Sequence, residues 1–254
     1  MLIDEVCDLL LPAAAGRRVA EVRIGLGYTA VQLDNGRCGL AYTLRDDIQE
    51  GCCVINTAGT LAGRPASELA AWVKSLDSIH AAVGLATLNA LVEKPLDAVE
   101  TDLLTLLPVG PDDVIGMVGY FGPLVEPLRK RCRALHILER HPGAESGLLP
   151  ESAAGEVLPR CQIAILSATT LLNRTLDGLL QLCRNAREVA ILGPSTPLLP
   201  EVFATRGATL LSGVHVIDPE RALRIVSEGG GTRQLGEAVK KLTVRLPRHR
   251  EASE

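Results

Sequence analysis

Val114-Ile115-Gly116-Met117-Val118-Gly119-Tyr120-Phe121-Gly122-Pro123 is the stretch on which the reading of this chain turns. A short apolar run ends in two glycines that flank an aromatic pair. An amphipathic segment comes next, with Leu124, Val125, Leu128 and Cys132 on one side. The order is strand, tight glycine turn, helix. Glycine lacks a Cβ and tolerates positive φ, so the backbone at such a turn is open to a ligand. The start of the helix then aims its free amides at the same place, usually at something anionic. The pattern predicts a small-molecule site without naming the molecule.

Outward from this stretch, strand and helix alternate. Apolar runs at 114–118, 134–138, 162–166, 188–192, and 208–211 with 214–217 read as strands one to five. A helix over 171–183 carries Leu171, Leu172, Thr175, Leu176, Leu179, Leu180 and Cys183 on one stripe. Another starts at Pro219 behind Asp218 as N-cap, with proline in the first turn. Short, strongly apolar strands separated by helices predict an α/β fold with a mainly parallel sheet covered by helices on both faces.

The first part reads as α+β. A helix is expected over 3–11, and strands over 19–33 and 38–43 joined by Asp34-Asn35-Gly36. Asn-Gly between apolar runs is a hairpin signal. A third strand is expected over 52–57. Ser67 is expected to cap a helix with Leu69, Trp72, Val73 and Leu76 at helical spacing. A second helix over 77–92 holds Ala81, Ala82, Gly84 and Ala86, small enough for a neighbour to pack closely. Pro95, Pro108, Gly110 and Pro111 mark a link, with one short helix around 99–106. The expected organisation is an α+β domain over 1–94, a linker over 95–112, an α/β domain over 113–245 and a polar tail over 246–254, with no internal repeat.

Composition narrows the function classes. The 254 residues are 47% hydrophobic, 22% charged and only 2% aromatic, so the cores must be aliphatic. The net charge of −4 and the lack of a basic cluster interleaved with aromatics argue against nucleic acid as a partner. Arg129-Lys130-Arg131 and Lys240-Lys241 read as solvated helix faces. The longest stretch free of formal charge, 78–92, falls short of the roughly 20 residues that span a bilayer. Met1-Leu2-Ile3-Asp4-Glu5 turns acidic too early for a secretory signal, so a cytoplasmic location is expected. The seven cysteines, at 7, 38, 52, 53, 132, 161 and 183, are odd in number and form no C-x-x-C. That predicts free thiols in a reducing compartment. Cys52-Cys53 could bind a soft metal as thiolates; the simpler reading is two small residues alternating on a strand. Homo-oligomerisation is left open.

In a doubly wound sheet, ligands bind beyond the carboxyl ends of the strands, so the residues just past each strand matter. Those segments are Gly119-Tyr120-Phe121-Gly122, then Glu139-Arg140-His141-Pro142, then Ser167-Ala168-Thr169-Thr170 with Asn173 one turn on, then Gly193-Pro194-Ser195-Thr196-Pro197, then Ser212-Gly213 and Asp218. All are expected to converge on one edge. Glu139 lies 20 residues past Gly119, where nucleotide-binding Rossmann domains place an acid for ribose. Yet the turn reads G-x-x-G-x-x-G at 116, 119 and 122, which does not support a dinucleotide site. Glu139 is therefore either a ligand contact or a surface carboxylate paired with Arg140. Thr169 either caps the next helix or binds ligand oxygens. The two prolines stiffen the Ser195-Thr196 loop, and no Gly-x-Ser-x-Gly makes it a nucleophile elbow. His80 and His136 read as structural, whereas His141 and His215 sit near the sheet edge as a base or ligand. No histidine spacing fixes a metal site held by protein side chains alone.

The segments 116–124, Glu139-Arg140, Thr169-Thr170-Leu171-Leu172-Asn173-Arg174-Thr175-Leu176 and Gly193-Pro194-Ser195-Thr196-Pro197-Leu198 together resemble the Rossmann-like domain of the Putative heavy-metal chelation family. Gly25-Leu26-Gly27-Tyr28-Thr29-Ala30-Val31, Gly39-Leu40-Ala41 and the run 82–90 resemble that family's first domain, of enolase N-terminal-like fold. The resemblance covers nearly the whole chain. It implies a cleft between two domains, a Rossmann-like half similar to that of methyltransferases, and a role with a metal chelator or a pterin-like molecule. On that view Tyr28 and Asn89 reach the cleft from the first domain, although Asn89 is equally well read as a helix-end residue bonded within its own domain. The expected ligand contacts are Tyr28, Asn89, Gly119, Tyr120, Phe121, Gly122, Glu139, Arg140, Thr169, Thr170, Asn173, Thr175, Gly193, Pro194, Ser195 and Thr196. Two functions are implied. One is binding of a small oxygen-rich ligand, a metal chelate or its precursor. The alternative is an enzyme that condenses, hydrolyses or methylates such a metabolite, with S-adenosylmethionine as cosubstrate in the last case.

Overall fold

A computed structural model describes residues 1–48, 54–142 and 147–247. In the first part, α1 (Leu2–Leu10) leads into β1 (Val19–Ile24), β2 (Tyr28–Leu33) and β3 (Cys38–Tyr42), an antiparallel sheet in that order. The stretch expected as one strand over 19–33 is two. Gly25 N donates to Tyr28 O at 2.8 Å and closes a hairpin between β1 and β2. The Asn-Gly turn joins β2 to β3 as expected, with Gly36 at φ +82°. Of the third strand expected over 52–57, the described residues 54–57 form no strand, and Cys52 and Cys53 fall outside the described residues.

Helix α2 (Ala66–Ala71) begins one residue before Ser67, so Pro65 takes the cap position and Ser67 sits inside the first turn. Helix α3 (Ser78–Leu91) is capped by Asp77, whose carboxylate accepts the His80 amide at 2.8 Å. His80 also lies against Trp72, ring centroids 4.5 Å apart. Nearly every side chain of α3 is buried, because it runs between the three-stranded sheet and the short helical turn at 72–74. Gly84 makes that possible: a Cβ there would stand 2.0 Å from the Val73 amide nitrogen.

After the short α4 (Leu103–Leu106), the chain builds β4 (Val114–Val118), α5 (Gly122–Arg129), β5 (Ala134–Glu139), β6 (Leu148–Pro150), α6 (Ala154–Val157), β7 (Ile163–Ser167), α7 (Leu176–Leu182), β8 (Glu188–Leu192), α8 (Pro200–Ala204), β9 (Leu210–Val216), α9 (Pro219–Ser227), α10 (Thr232–Leu235) and β10 (Val239–Arg245). The sheet order is β10-β9-β8-β7-β4-β5-β6, parallel throughout except β10, which runs antiparallel to β9. The chain fills the sheet from β4 towards β6, then returns to β7 on the other side of β4. That reversal opens a crevice beyond the carboxyl ends of β4 and β7, as doubly wound folds do.

The two apolar runs at 208–211 and 214–217 do form a single fifth strand as expected, β9, continuous through Gly213. Several local expectations are corrected. Lys240 and Lys241 lie on β10, not on a helix, and pair with Glu100 and Asp102 at 2.8 and 2.7 Å. His136 is exposed on β5 rather than structural. The helix expected over 171–183 starts only at Leu176. Residues 168–171 form a tighter 3-10 turn, and Arg174 breaks the run with φ +61°. Asn173 restarts it by accepting the Thr175 amide and hydroxyl at 3.2 and 2.8 Å. Asp218 caps α9 as expected. No helix among the described residues is long and apolar enough to cross a membrane.

The two sheets share a core. One continuous cluster takes in Leu2, Val31 and Leu88 from the first part and Val118, Leu166 and Leu180 from the second. The close approach at Gly84 gives a prediction of sign. Gly84→Ala forces backbone apart and should cost about 1–3 kcal/mol or more. Gly178→Ala, in α7 with nothing within 4 Å of the added Cβ, should gain about 0.5–1 kcal/mol from better helix propensity. Urea denaturation of the two variants checks both directions.

Candidate functional site

The strand ends do converge. Gly119 terminates β4 at φ +91°, where a Cβ would come within 2.9 Å of the Ser167 side chain. Its amide donates to Leu138 O at 2.9 Å, extending the parallel β4–β5 ladder by one rung. The Tyr120 amide then meets Glu139 Oε1 at 2.6 Å, and Glu139 Oε2 accepts the Arg140 amide at 3.1 Å. Glu139 thus latches the glycine turn through main-chain donors. Its expected ion pair with the Arg140 side chain is not formed. That guanidinium crosses instead to Asp47 Oδ2 of the first part, 2.6 Å away. The hydrogen bond to Asp47 raises the Arg140 pKa, so the guanidinium stays charged.

At the end of β7, Ser167 and not Thr169 is the cap. Its Oγ accepts the Thr169 amide at 3.3 Å and shares a 2.8 Å hydrogen bond with the Thr169 hydroxyl. Thr170 is buried and donates its hydroxyl to Ser167 O at 2.5 Å. At the end of β8, Gly193 adopts φ +129° and opens the stiff loop. Ser195, 2% exposed, accepts the Tyr42 amide on Oγ at 2.8 Å, while its carbonyl accepts Asn89 Nδ2 at 3.3 Å. Asn89 also donates to Leu40 O at 2.8 Å. Thr196 turns inward, donating to Gly193 O and Ser212 O.

Between these loops and the first sheet lies a cavity of about 350 Å³. Of the residues expected as ligand contacts, Tyr28, Gly119, Tyr120, Phe121, Glu139, Arg140, Thr169, Thr170, Asn173, Gly193, Pro194 and Ser195 line it. Asn89, Gly122, Thr175 and Thr196 do not. Asn89 does not reach the cavity; it is bonded within its own part to Leu40 O and also donates across the junction to Ser195 O from behind that loop. Tyr28 donates or accepts at Thr232 Oγ1, 2.6 Å away, and stacks edge-on against Tyr42 at 5.8 Å. Burial pushes the Tyr28 hydroxyl pKa up, so it remains neutral.

Tyr42, Asp46, Asp47, Glu151 and Thr232 also line the cavity and were not anticipated. Asp46-Asp47, just past β3, and the glycine triplet 229–231 before Thr232 were the available signals. His141 lies at the cavity, whereas His215 faces a separate small pocket, its pKa lowered by burial and by Arg37 and Lys94. The wall is therefore hydroxyls, main-chain groups and carboxylates, with Arg140 already held by Asp47. Among the described residues, no three His, Cys, Asp or Glu side chains are grouped to hold a metal ion. Burial pushes the Cys38 and Cys183 thiols up to about 12 and Cys161 to about 11, which keeps them protonated and poor ligands.

Comparison with known proteins agrees with this architecture. An uncharacterised protein of Methanocaldococcus jannaschii is 27% identical over 97% of this chain and 98% of its own length. A crystal structure of a DUF364-family protein of unknown function from Desulfitobacterium hafniense superposes with a TM-score of 0.80, at 29% identity over 96% of this chain and 98% of that one. Another from Pyrococcus horikoshii gives 0.84 at 22% identity, covering 97% and 100%, and shows the same fold. Two family models, both described as "Putative heavy-metal chelation", match residues 7–92 and 102–245. The chain, from its three-stranded sheet to the last strand of the larger one, belongs to the Putative heavy-metal chelation family.

Proposed function

We propose that this protein binds a small oxygen-rich ligand, a metal chelate or its precursor, in the cavity between the two sheets. The observation that carries the reading is the composition of the wall. Hydroxyls of Tyr28, Thr169 and Thr232 stand beside carboxylates of Asp46, Glu139 and Glu151, with aromatic rings at two sides. Such a surface suits a polyol or a metal complex whose ligands donate and accept hydrogen bonds. It suits free polyphosphate poorly, because carboxylates repel anions and the cavity's arginine is already paired. The metal would arrive inside its chelator, which fits a wall without a cluster of metal ligands among the described residues. A cavity at the reversal of strand order is where doubly wound folds place ligands.

The decisive experiment is thermal shift with purified, metal-analysed protein against ferric and molybdate chelates, pterins and S-adenosylmethionine. Stabilisation by a chelate or a pterin is expected. At a ligand concentration 100 times Kd, linkage predicts about 2.7 kcal/mol. Stabilisation by S-adenosylmethionine alone overturns the reading in favour of methyl transfer.

Two threonines separate binding from stability. Thr169→Ala removes a hydroxyl that lines the cavity and is hydrogen-bonded to Ser167 Oγ. It should weaken the chelate about tenfold, roughly the 1.4 kcal/mol of one hydrogen bond, and leave Tm nearly unchanged. Thr196→Ala removes a buried hydroxyl that donates to Gly193 O and Ser212 O away from the cavity, while both carbonyls keep main-chain donors. It should cost about 0.5–1.5 kcal/mol of stability and leave affinity intact.

Glu139→Gln tests the latch. A side-chain amide must present an NH2 to one of the two main-chain donors that Glu139 now holds. The Tyr120 amide should therefore exchange with solvent faster, measured by hydrogen exchange, and ligand affinity should fall with it. Unchanged affinity would remove Glu139 from the site.

A further inference from the structure

Aromatic side chains are scarce in this chain and unevenly placed. It holds three tyrosines, two phenylalanines and one tryptophan. All three tyrosines and Phe121 line the cavity between the sheets. The cores do not explain this. They are aliphatic, and the aromatic wholly inside them is Phe203, while Trp72 lies against His80. Tyr28 and Phe121 pack partly into the apolar clusters behind the wall. Tyr42 is half-buried and Tyr120 is 48% exposed, so these two offer ring surface. The Tyr120 ring lies over Gly122, where an added Cβ would stand 3.4 Å from its Cε1, and the Tyr120 amide donates to Glu139 at 2.6 Å. An aromatic residue and a carboxylate are thus fixed side by side on the wall.

The charges of the wall are one-sided as well. Among the described residues, Asp46, Asp47, Glu139 and Glu151 line the cavity against a single guanidinium, that of Arg140, with His141 as the other basic side chain. Asp47 is spent on Arg140. Its hydrogen bond does most to raise the Arg140 pKa, and the charges of Asp47, Glu151 and Asp46 add to the effect, so Glu151 and Asp46 act on the same space. Asp46 has Arg45 3.8 Å away, but both side chains are mostly exposed and such a contact is weak. Glu139 holds two main-chain amides, which carry no charge to cancel its own.

We infer that the ligand of this cavity is a cation: a metal chelate of net positive charge, with O–H or N–H donors on its outer face. The inference rests on the chelate-binding reading above and narrows its ligand. Rings and carboxylates select the same partner by different physics. The face of an aromatic ring is electrostatically negative and attracts a cation, most strongly where water is excluded. Carboxylates accept hydrogen bonds and attract the same charge. A neutral flat ligand would use the rings but desolvate the carboxylates without return. An anion would be repelled by both. Only a cation with donors at its surface is met favourably by every part of this wall. Tyr120 is then a specificity-determining residue, since its ring is the most exposed of the four aromatic side chains at the cavity.

The test is calorimetric titration of the full chain with two inert cobalt(III) complexes of opposite charge, hexaamminecobalt(III) and tris(oxalato)cobaltate(III). Neither exchanges its ligands on the timescale of the titration, so the metal meets the protein only inside its shell. The ammine complex should bind at one site, and the oxalato complex about 100-fold more weakly or not at all. Tyr120→Leu and Glu151→Gln should each weaken the ammine complex about fivefold. Tyr120→Phe, which keeps the ring, should bind it as the wild type does. Glu220→Gln, an exposed acid outside the cavity, should change nothing, and unchanged Tm values show that the variants are folded. An oxalato complex that binds as well as the ammine, and loses affinity in Thr169→Ala, overturns the inference while the chelate-binding reading stands. Ammine binding that is the same in Tyr120→Leu and Glu151→Gln as in the wild type overturns it too, because the cation is then held by the acidic surface at large. If neither complex binds, the inference falls, and the chelate-binding reading falls with it only where the chelates of the thermal-shift panel also fail.

Discussion

The hydrogen bonds at Ser195 are the constraint that sets how the two sheets meet. Strand β3 is an edge, and its outward groups at Leu40 and Tyr42 need partners. Leu40 O takes Asn89 Nδ2, and the Tyr42 amide takes Ser195 Oγ. Asn89 then reaches on to Ser195 O. Two side chains therefore satisfy a sheet edge and fix the distance between the sheets in one step. Ser195 is 2% exposed, so removing its hydroxyl would leave a Tyr42 amide without its partner, at the cost such groups carry.

Once that junction is fixed, the cavity is a consequence of geometry. The Ser195 loop holds the first sheet against the β8 side of the crevice, while Arg140 and Asp47 tie it across β5. Between these ties, over β4 and β7, the crevice stays open as the cavity. The floor is set by Gly119, which must lack a Cβ because Ser167 stands against it. Arg174, next to the cavity residue Asn173, holds a left-handed conformation unusual for a side-chain-bearing residue. Its guanidinium is anchored on the carbonyls of Lys74 and Ser75 in the first part. A tie across the junction offsets local strain beside the cavity, a pattern common where geometry serves binding.

The parallel strands and their order of alternation were legible in the sequence because each is a short apolar run bounded by turn residues. The pieces that escaped are those whose partners lie far away along the chain. Strand β10 reads as charged, since only its inward positions Leu242, Thr243 and Val244 are buried. Strand β6 is too short to leave a period. The split of residues 19–33 was written in Gly25-Leu26-Gly27 but masked by the apolar residues around it. At the site, main-chain geometry placed the strand ends correctly on one edge. The destinations of side chains were not legible: Arg140 finds Asp47 93 residues away, and Tyr28 finds Thr232 across 204. No local spacing encodes such pairs.

Glu139 shows how a familiar position can carry a different duty. In a nucleotide-binding Rossmann domain the acid that ends the second strand is free to take ribose hydroxyls, and glycine amides are free to take phosphate. Here both resources are turned on each other, because Glu139 accepts the Tyr120 and Arg140 amides. Each carboxylate oxygen keeps a lone pair, so the acid can still accept from a hydroxyl. The Tyr120 amide, however, is no longer available to an anion. The turn has therefore spent one of its amides on rigidity, and the Glu139 oxygens remain as acceptors at the cavity. Under the proposed function, a ligand that brings its own donors, or its own positive charge, suits these oxygens.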